Sequence, residues 1–235
     1  MTHPAQPLEP AIAVALVATM QAMRHRGLNV GAAGNASARH PESGMWITPT
    51  GVPAETLTPE QIVWVDAAGQ AHGAWRPSSE WHFHLAIYRA RPDVGAVVHC
   101  HSPAATALAC HRREIPPFHY MIAEFGGQTV RCARYARFGS EALAEAIVDA
   151  LEDRLACLLA NHGLVAVGHD LAHALHLAEA LETLCKQYLY ARALGEPVWL
   201  SEAEMAEVID AFRGYGQQSC ERTYESTSRI LPPSS

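Results

Sequence analysis

The sequence predicts a single α/β domain, because amphipathic helical patterns alternate with short apolar runs that are typical of buried strands. With 235 residues, of which 49% are hydrophobic, the chain is long enough to bury one full core. No internal repeat or low-complexity block in the sequence favours a second unit. We therefore expect one domain over residues 9–216, between a flexible N-terminal tail (1–8) and a flexible C-terminal tail (217–235).

Six stretches carry the apolar spacing or the capping signals of helices. The first runs from Glu9 to Arg26 and is followed by Gly27, which is placed to end it. The second opens at Pro77-Ser-Ser-Glu80, with a serine in the N-cap region and a carboxylate in the first turn. His84 shares the helical face of Glu80, and we interpret it as a packed or capping histidine rather than a ligand. The remaining helices are expected over residues 103–111, 141–153, 171–194 and 201–214.

Short apolar runs predict the strands. Met45–Ile47 is one, and residues 62–69 suggest a hairpin at the sheet edge. Residues 94–101 form an apolar run that ends in two histidines, and residues 156–160 form another, with 164–167 continuing beyond it. We interpret the small, glycine-rich segment 31–37 as a loop between helix and strand, where the backbone could approach a ligand.

Two histidines one residue apart suggest half of a metal site. In a strand His99 and His101 would share a face and Cys100 would point the other way. His162 precedes a glycine at a strand end and is the best candidate for a third ligand, and Glu80 supplies an acid. Three neutral imidazoles would leave a zinc ion its full charge, which suits it to polarise a carbonyl and to stabilise an enediolate.

Charge and composition exclude several classes of function. A formal net charge of −7 argues against a nucleic-acid surface or an anionic membrane as partner, but not against a small anionic substrate. Lys186 is the only lysine of the chain, which makes Schiff-base chemistry a poor alternative. The six cysteines are dispersed and no signal peptide or membrane span is recognisable, so we expect a cytoplasmic protein.

Taken together, these motifs resemble the class II aldolase and adducin-head family, in particular its branch that acts on L-fuculose 1-phosphate. The resemblance covers most of residues 9–216. It is carried by Gly34-Asn35-x-Ser37, Ile47-Thr-Pro-Thr-Gly51, Ser78-Ser-Glu80, Ala96-Val-Val-His-x-His101, Ile115-Pro-x-x-His-Tyr-Met-Ile122 and His162-Gly163.

The resemblance implies a three-layer domain with a central, mostly antiparallel sheet, assembled as a homotetramer with active sites at subunit interfaces. It implies Zn²⁺, with Mn²⁺ or Co²⁺ as alternatives, on His99, His101 and His162, with Glu80 completing the shell when no substrate is bound. The expected reaction is reversible cleavage of a ketose 1-phosphate to dihydroxyacetone phosphate and an aldehyde, through an enediolate that the metal stabilises.

By the same resemblance, Glu80 would move the proton at the reacting carbon, and Tyr120 would protonate the aldehyde oxygen in the synthetic direction. Phe138 would line the aldehyde pocket, and Tyr120 and Tyr215 would arrive from a neighbouring subunit. The phosphate of the sugar substrate would be held by the glycine-rich backbone and by hydroxyl groups: Gly34, Asn35, Thr50, Gly51, Ser78 and Ser79.

Some departures from the family pattern leave the substrate open. Asn161 stands where the aldolase branch carries another histidine, Cys100 replaces a polar residue, and the chain runs longer after Tyr215. The alternative enzyme is a metal-dependent decarboxylase or dehydratase of the same family, whereas the epimerase branch is disfavoured because its aspartate and lysine are missing. A non-catalytic interaction module is the alternative of a different class, and the intact histidines and Glu80 argue against it.

Overall fold

The computed structural model of the protein describes residues 10–214. Tyr215 and both predicted tails lie outside this range. The strands form one eight-stranded sheet in the order β4-β3-β2-β1-β5-β8-β7-β6. All neighbouring strands are antiparallel except the β6–β7 pair. The strands are β1 (Asn35–Arg39), β2 (Met45–Ile47), β3 (Val63–Val65), β4 (Ala71–His72), β5 (Ala96–Cys100), β6 (Cys132–Ala133), β7 (Ala156–Leu159) and β8 (Gly163–Gly168).

Six α-helices cover the two faces of this sheet. They are α1 (Pro10–His25), α2 (Trp81–Ala90), α3 (Pro103–Ala109), α4 (Glu141–Ala150), α5 (Leu171–Ala193) and α6 (Glu202–Gly214), and two short 3₁₀ helices span Pro59–Gln61 and Tyr120–Phe125. The apolar residues of α1, α3 and α5 form one core with one face of the sheet, whereas those of α2 and α4 form a second core with the other face.

Side chains of the central strands alternate between the two cores, as a pleated strand requires. In β5, Val97 belongs to the α2/α4 core, whereas Val98 and Cys100 belong to the other. The predicted three-layer, single-domain architecture with a mostly antiparallel sheet is therefore confirmed. None of the helices between residues 10 and 214 is long and apolar enough to cross a membrane.

The structure corrects two local predictions. The segment interpreted as a loop, 31–37, ends in the first three residues of β1, which pairs with β2 and β5 near the middle of the sheet. Its buried positions are small residues such as Ala36 and Ser37, so it lacks the β-branched signal of a strand. Residues 164–167 do not continue β7 but return antiparallel to it as β8, after a turn in which Asn161 adopts a φ of 55°.

Candidate metal centre and substrate cavity

The ends of two strands bring the predicted histidines together. β5 and β8 are antiparallel neighbours, with His99 opposite Val165, so the turn before β8 lies beside the end of β5. Gly163 makes this approach possible, because a Cβ atom there would lie 2.3 Å from the carbonyl oxygen of Cys100 and 3.0 Å from Cδ2 of His101. His162 is therefore held next to the two histidines of the other strand.

Glu80 lies at the N-cap of α2 rather than in its first turn. Its backbone N–H donates to Oγ of Ser78 at 3.3 Å, while its own carboxylate makes no capping bond. The carboxylate turns instead toward the histidines, with Oε2 at 3.1 Å from Nε2 of His99 and Oε1 at 3.3 Å from Nε2 of His162. Because α2 begins directly after Glu80, the carboxylate of this residue lies beside the strand ends that carry the histidines.

The three imidazoles form a symmetric tripod. The ring centroids of His99, His101 and His162 are 4.8 Å apart in all three pairs. One ligand atom from each histidine and one from Glu80 lie within 4.8 Å of one another, and no other such cluster occurs among residues 10–214. The chain therefore contains a candidate metal-binding group with the composition predicted from the sequence.

The hydrogen bonding of His99 shows that this donor set fits a cation. Nδ1 of His99 lies 2.8 Å from the carbonyl oxygen of Leu164, which can only accept, so Nδ1 carries a hydrogen and, in the neutral ring that binds a metal, Nε2 presents a lone pair. That lone pair faces Nε2 of His101 at 3.0 Å and the Glu80 carboxylate. Lone pairs that converge in this way repel one another unless a cation lies between them, and three imidazoles with one carboxylate suit a divalent transition metal.

Electrostatics keep these groups in metal-ligating forms near neutral pH. Desolvation, and then the neighbouring His99, lower the pKa of both His101 and His162 to about 4, so these rings are neutral. Burial alone would raise the pKa of Glu80, but the interactions with His99, His162 and Asn35 outweigh it and hold this pKa well below its usual range. Glu80 is therefore ionised.

A cavity of about 370 Å³ opens onto this group. Two loops meet beside it, because Thr50 N–H donates to Arg76 at 3.1 Å and Ser78 N–H donates to Thr48 at 2.9 Å. Most of the residues predicted to bind substrate line the cavity together with Glu80, His101 and His162: Gly34, Asn35, Thr50, Gly51, Ser78, Ser79 and Phe138.

Two predicted residues are not brought to the cavity by the described chain. Tyr120 begins the second 3₁₀ helix, is 50% exposed and does not line the cavity. Tyr215 lies outside the described residues. Their assignment to a neighbouring subunit stays a prediction, as do the individual roles of the residues that line the cavity.

Sequence reasoning missed several residues that support the site. Asn29 is buried and accepts a hydrogen bond from His101 N–H at 3.1 Å, which ties the first loop to the end of β5. Asn35 is bonded through its side chain to Glu80 and His84, and His84 is bonded to Ser37. His84 is not a member of the metal-binding group, so its interpretation as a packed histidine is confirmed.

Comparison with known proteins identifies the family to which the chain belongs. The family described as Class II Aldolase and Adducin N-terminal domain matches residues 14–189. A 5-methylthioribulose-1-phosphate/5-deoxyribulose-1-phosphate aldolase from Rhodospirillum rubrum is 47% identical over 82% of this chain and 87% of its own length. An L-fuculose phosphate aldolase from Escherichia coli K12 is 46% identical over 86% of this chain and 94% of its own length. A solved structure of L-fuculose 1-phosphate aldolase, 38% identical, covers 86% of this chain and 96% of its own with a TM-score of 0.83.

Proposed function

Because the chain belongs to the class II aldolase and adducin N-terminal domain family, we propose that it is a metal-dependent aldehyde-lyase. It reversibly cleaves a ketose 1-phosphate of the L-fuculose 1-phosphate type to dihydroxyacetone phosphate and an aldehyde. The observation that carries this proposal is the tripod of imidazoles with Glu80, which opens onto a cavity lined by hydroxyl groups and glycine backbone. The aldolases compared above are named for phosphorylated ketose sugars, two of them for sugar 1-phosphates, which matches that combination.

His99, His101, His162 and Glu80 would hold the cofactor, for which we propose Zn²⁺, with Mn²⁺ or Co²⁺ as alternatives. A divalent cation supplies Lewis-acid stabilisation of negative charge on the oxygens of a substrate. The fold pre-orients three imidazoles, which are uncharged ligands when they bind a metal, so the charge of the cation would not be offset by anionic ligands once Glu80 turns to the substrate. Schiff-base chemistry, the alternative way to activate a carbonyl, needs a lysine amine in the cavity. Lys186 does not line the cavity, and its Nζ lies 3.4 Å from Oε1 of the buried Glu182.

The rim of the cavity supports phosphate binding without a cationic side chain. Thr50, Ser78 and Ser79 offer hydroxyl groups, and Gly34 and Gly51 leave the backbone open to a ligand. The side-chain amide of Asn35 is already bonded to Glu80 and His84. A phosphate contact from Asn35 would therefore use its backbone or the second hydrogen of its amide.

In the cleavage direction the bond between C3 and C4 of the ketose breaks. The C4 hydroxyl loses its proton through Tyr120 while C4 becomes the aldehyde carbon, and the electron pair stays on the fragment that bears the phosphate. The proton released through Tyr120 returns by way of solvent to the Glu80 carboxylate, which delivers it to C3 and so completes dihydroxyacetone phosphate. In the synthetic direction Glu80 removes that proton and Tyr120 protonates the aldehyde oxygen.

The aldehyde end of the substrate would lie against Phe138, which is 59% exposed and lines the cavity beside Tyr135 and Ala136. This apolar wall suits a small aldehyde with an apolar end. The half-exposed Tyr120, and Tyr215, would be supplied by a neighbouring chain of a homotetramer. That assembly and the cytoplasmic location remain predictions.

An activity panel tests the proposal. Purified, zinc-loaded protein is incubated with L-fuculose 1-phosphate, 5-deoxyribulose 1-phosphate and 5-methylthioribulose 1-phosphate, and dihydroxyacetone phosphate is measured with a coupled reductase. We expect release of dihydroxyacetone phosphate from at least one of them. Absence of release from all three, together with loss of CO₂ or water from a hydroxy acid or sugar phosphate, would contradict the proposal and favour the decarboxylase or dehydratase.

A further inference from the structure

A chain of buried polar side chains leads from Glu80 into the interior of the protein. Oε2 of Glu80 accepts from Nδ2 of Asn35 at 3.1 Å, and Oδ1 of Asn35 lies 2.5 Å from Nε2 of His84. Nδ1 of His84 lies 2.7 Å from Oγ of Ser37, which is 2.8 Å from the hydroxyl of Tyr88. All five residues are at most 7% exposed, and the contacts join strand β1 to helix α2.

The direction of each hydrogen bond follows from the chemistry of its two partners. An ionised carboxylate only accepts, so Asn35 must present its amide nitrogen to Glu80 and its oxygen to His84. That oxygen also only accepts, so the hydrogen of His84 is on Nε2 and Nδ1 carries the lone pair. Ser37 therefore donates to Nδ1 of His84 and accepts from the hydroxyl of Tyr88. Every hydrogen bond between Glu80 and Tyr88 then has one donor and one acceptor.

His84 selects between the two orientations of the Asn35 amide. If the amide were rotated by 180°, its oxygen would face the carboxylate of Glu80, and two acceptors would be buried against each other. A buried polar group left without a partner loses its hydration without gaining a hydrogen bond, which destabilises that orientation. Because His84 offers a donor to the oxygen side, it holds the amide in the orientation that donates to Glu80.

This orientation matters because Asn35 is the only side chain outside the metal-binding group, among the described residues, that hydrogen-bonds to the Glu80 carboxylate. The other two contacts are to His99 and His162. When those imidazoles bind a cation and Glu80 turns to the substrate, the bond from Asn35 still ties the carboxylate to the fold.

We propose that His84 is a positioning residue, which orients Asn35 so that Asn35 holds the Glu80 carboxylate in place for proton transfer. The inference rests on the proposed function, since it assigns a support to the group that moves the proton. The bond between His84 and Asn35 carries the effect, whereas the bond between His84 and Ser37 only anchors the ring.

Two substitutions separate these bonds in the metal-loaded protein. In His84→Gln the amide reaches the position of Nε2 and can still donate to Asn35, whereas in His84→Asn the amide reaches only the position of Nδ1 and keeps the contact with Ser37. We expect His84→Asn to lower kcat by roughly 10–100-fold, the usual cost of losing an outer-shell partner, with a nearly unchanged KM. His84→Gln should recover most of that loss.

The matched control is His82→Asn, the same substitution on the same helix, at a residue that stacks on Trp81 and does not line the cavity. It should leave kcat unchanged. Equal kcat values for His84→Asn and His84→Gln, or a wild-type kcat in His84→Asn, would overturn the proposal. A purely structural role would instead lower the melting temperature of both variants without separating their kcat values.

Two further measurements do not depend on turnover. Nitrogen NMR of the wild-type protein should show His84 as the neutral tautomer with its hydrogen on Nε2, and a hydrogen on Nδ1 would overturn the proposal even if no variant folds. In the cobalt-substituted protein, His84→Asn should change the visible spectrum and His84→Gln should not. If no ketose 1-phosphate is cleaved, the proposed function fails, while the tautomer and the cobalt spectra still decide the role of His84.

Discussion

The two halves of the cavity are held in different ways. The metal-binding half is anchored in the core through His99 and Glu80, which are 0% and 7% exposed and have partners in the core, whereas His101 and His162 face the cavity. The substrate half is carried by loops whose exposed residues include Thr50, Gly51 and Ser79, and by Phe138, which is 59% exposed. Under the proposed function, the residues anchored in the core would determine the class of reaction, whereas the exposed loops would determine which sugar phosphate is accepted.

The largest loss of turnover is expected from a substitution in the metal-binding half of the cavity. Glu80→Gln should lower kcat by roughly 10²–10⁴-fold, the usual contribution of a general acid or base, while the three imidazoles retain the metal. Turnover and metal content are measured on the same sample. The control is Glu60→Gln, an exposed carboxylate in the first 3₁₀ helix, and near-normal turnover of Glu80→Gln would remove Glu80 from its role.

The next effect tests whether the site is shared between chains. Tyr120→Phe should lower kcat by roughly 10²-fold, whereas the control Tyr190→Phe, at a tyrosine that is 71% exposed, should not. If Tyr120 acts on a neighbouring chain, unfolding and refolding an equal mixture of the Glu80→Gln and Tyr120→Phe proteins restores complete sites. Random assembly in a ring then gives roughly a quarter of wild-type activity. Activity that stays at the level of the separate variants would place Tyr120 in its own chain's site.

A smaller effect, on KM, is expected from a substitution in the substrate half of the cavity. Ser79→Ala should raise KM for a ketose 1-phosphate by roughly 10–100-fold, the range expected for a hydrogen bond to a charged group, with little change in kcat. Ser79 suits this test better than Ser78, whose hydroxyl also accepts from the backbone of Glu80. Thr56→Ala, on an exposed threonine outside the cavity, is the control. A change in kcat alone would show that Ser79 does not bind the phosphate.

The smallest effect is on stability. The pKa of His101 and that of His162 are lowered to about 4 in the fold, so the unfolded chain binds more protons than the folded one between pH 6.5 and 4. The lowered pKa of Glu80 acts in the same direction below its unfolded value. The melting temperature of metal-free protein should therefore fall as pH decreases from 6.5, with each kcal/mol worth roughly 2–4 °C. His162→Gln should make the melting temperature depend less on pH, and Ser79→Ala should not. Equal pH dependence in the two variants would contradict the assignment of this effect to His162.

The sequence could predict the metal-binding group, but neither strand β1 nor the contacts that support Glu80. The metal-binding group could be predicted, because alternation in a strand places His99 and His101 on one face and a strand end places His162 beside them. Strand β1 could not, because its small residues resemble a loop. The support behind Glu80 depends on contacts between residues 45 to 51 positions apart in the chain. A signal existed in the four-residue spacing of Glu80, His84 and Tyr88, which places them on one helical face, but it did not identify their partners on β1.

Metal removal tests the central claim most directly, that the three imidazoles and Glu80 hold the divalent cation required for cleavage of a ketose 1-phosphate. Metal content by mass spectrometry and turnover are measured before and after chelation, in the wild-type protein and in His162→Ala. We predict one ion per chain, loss of turnover on chelation, recovery with added Zn²⁺, and a much weaker affinity for metal in His162→Ala. Full turnover by metal-free protein, or a stoichiometric ion retained by His162→Ala, would contradict the account.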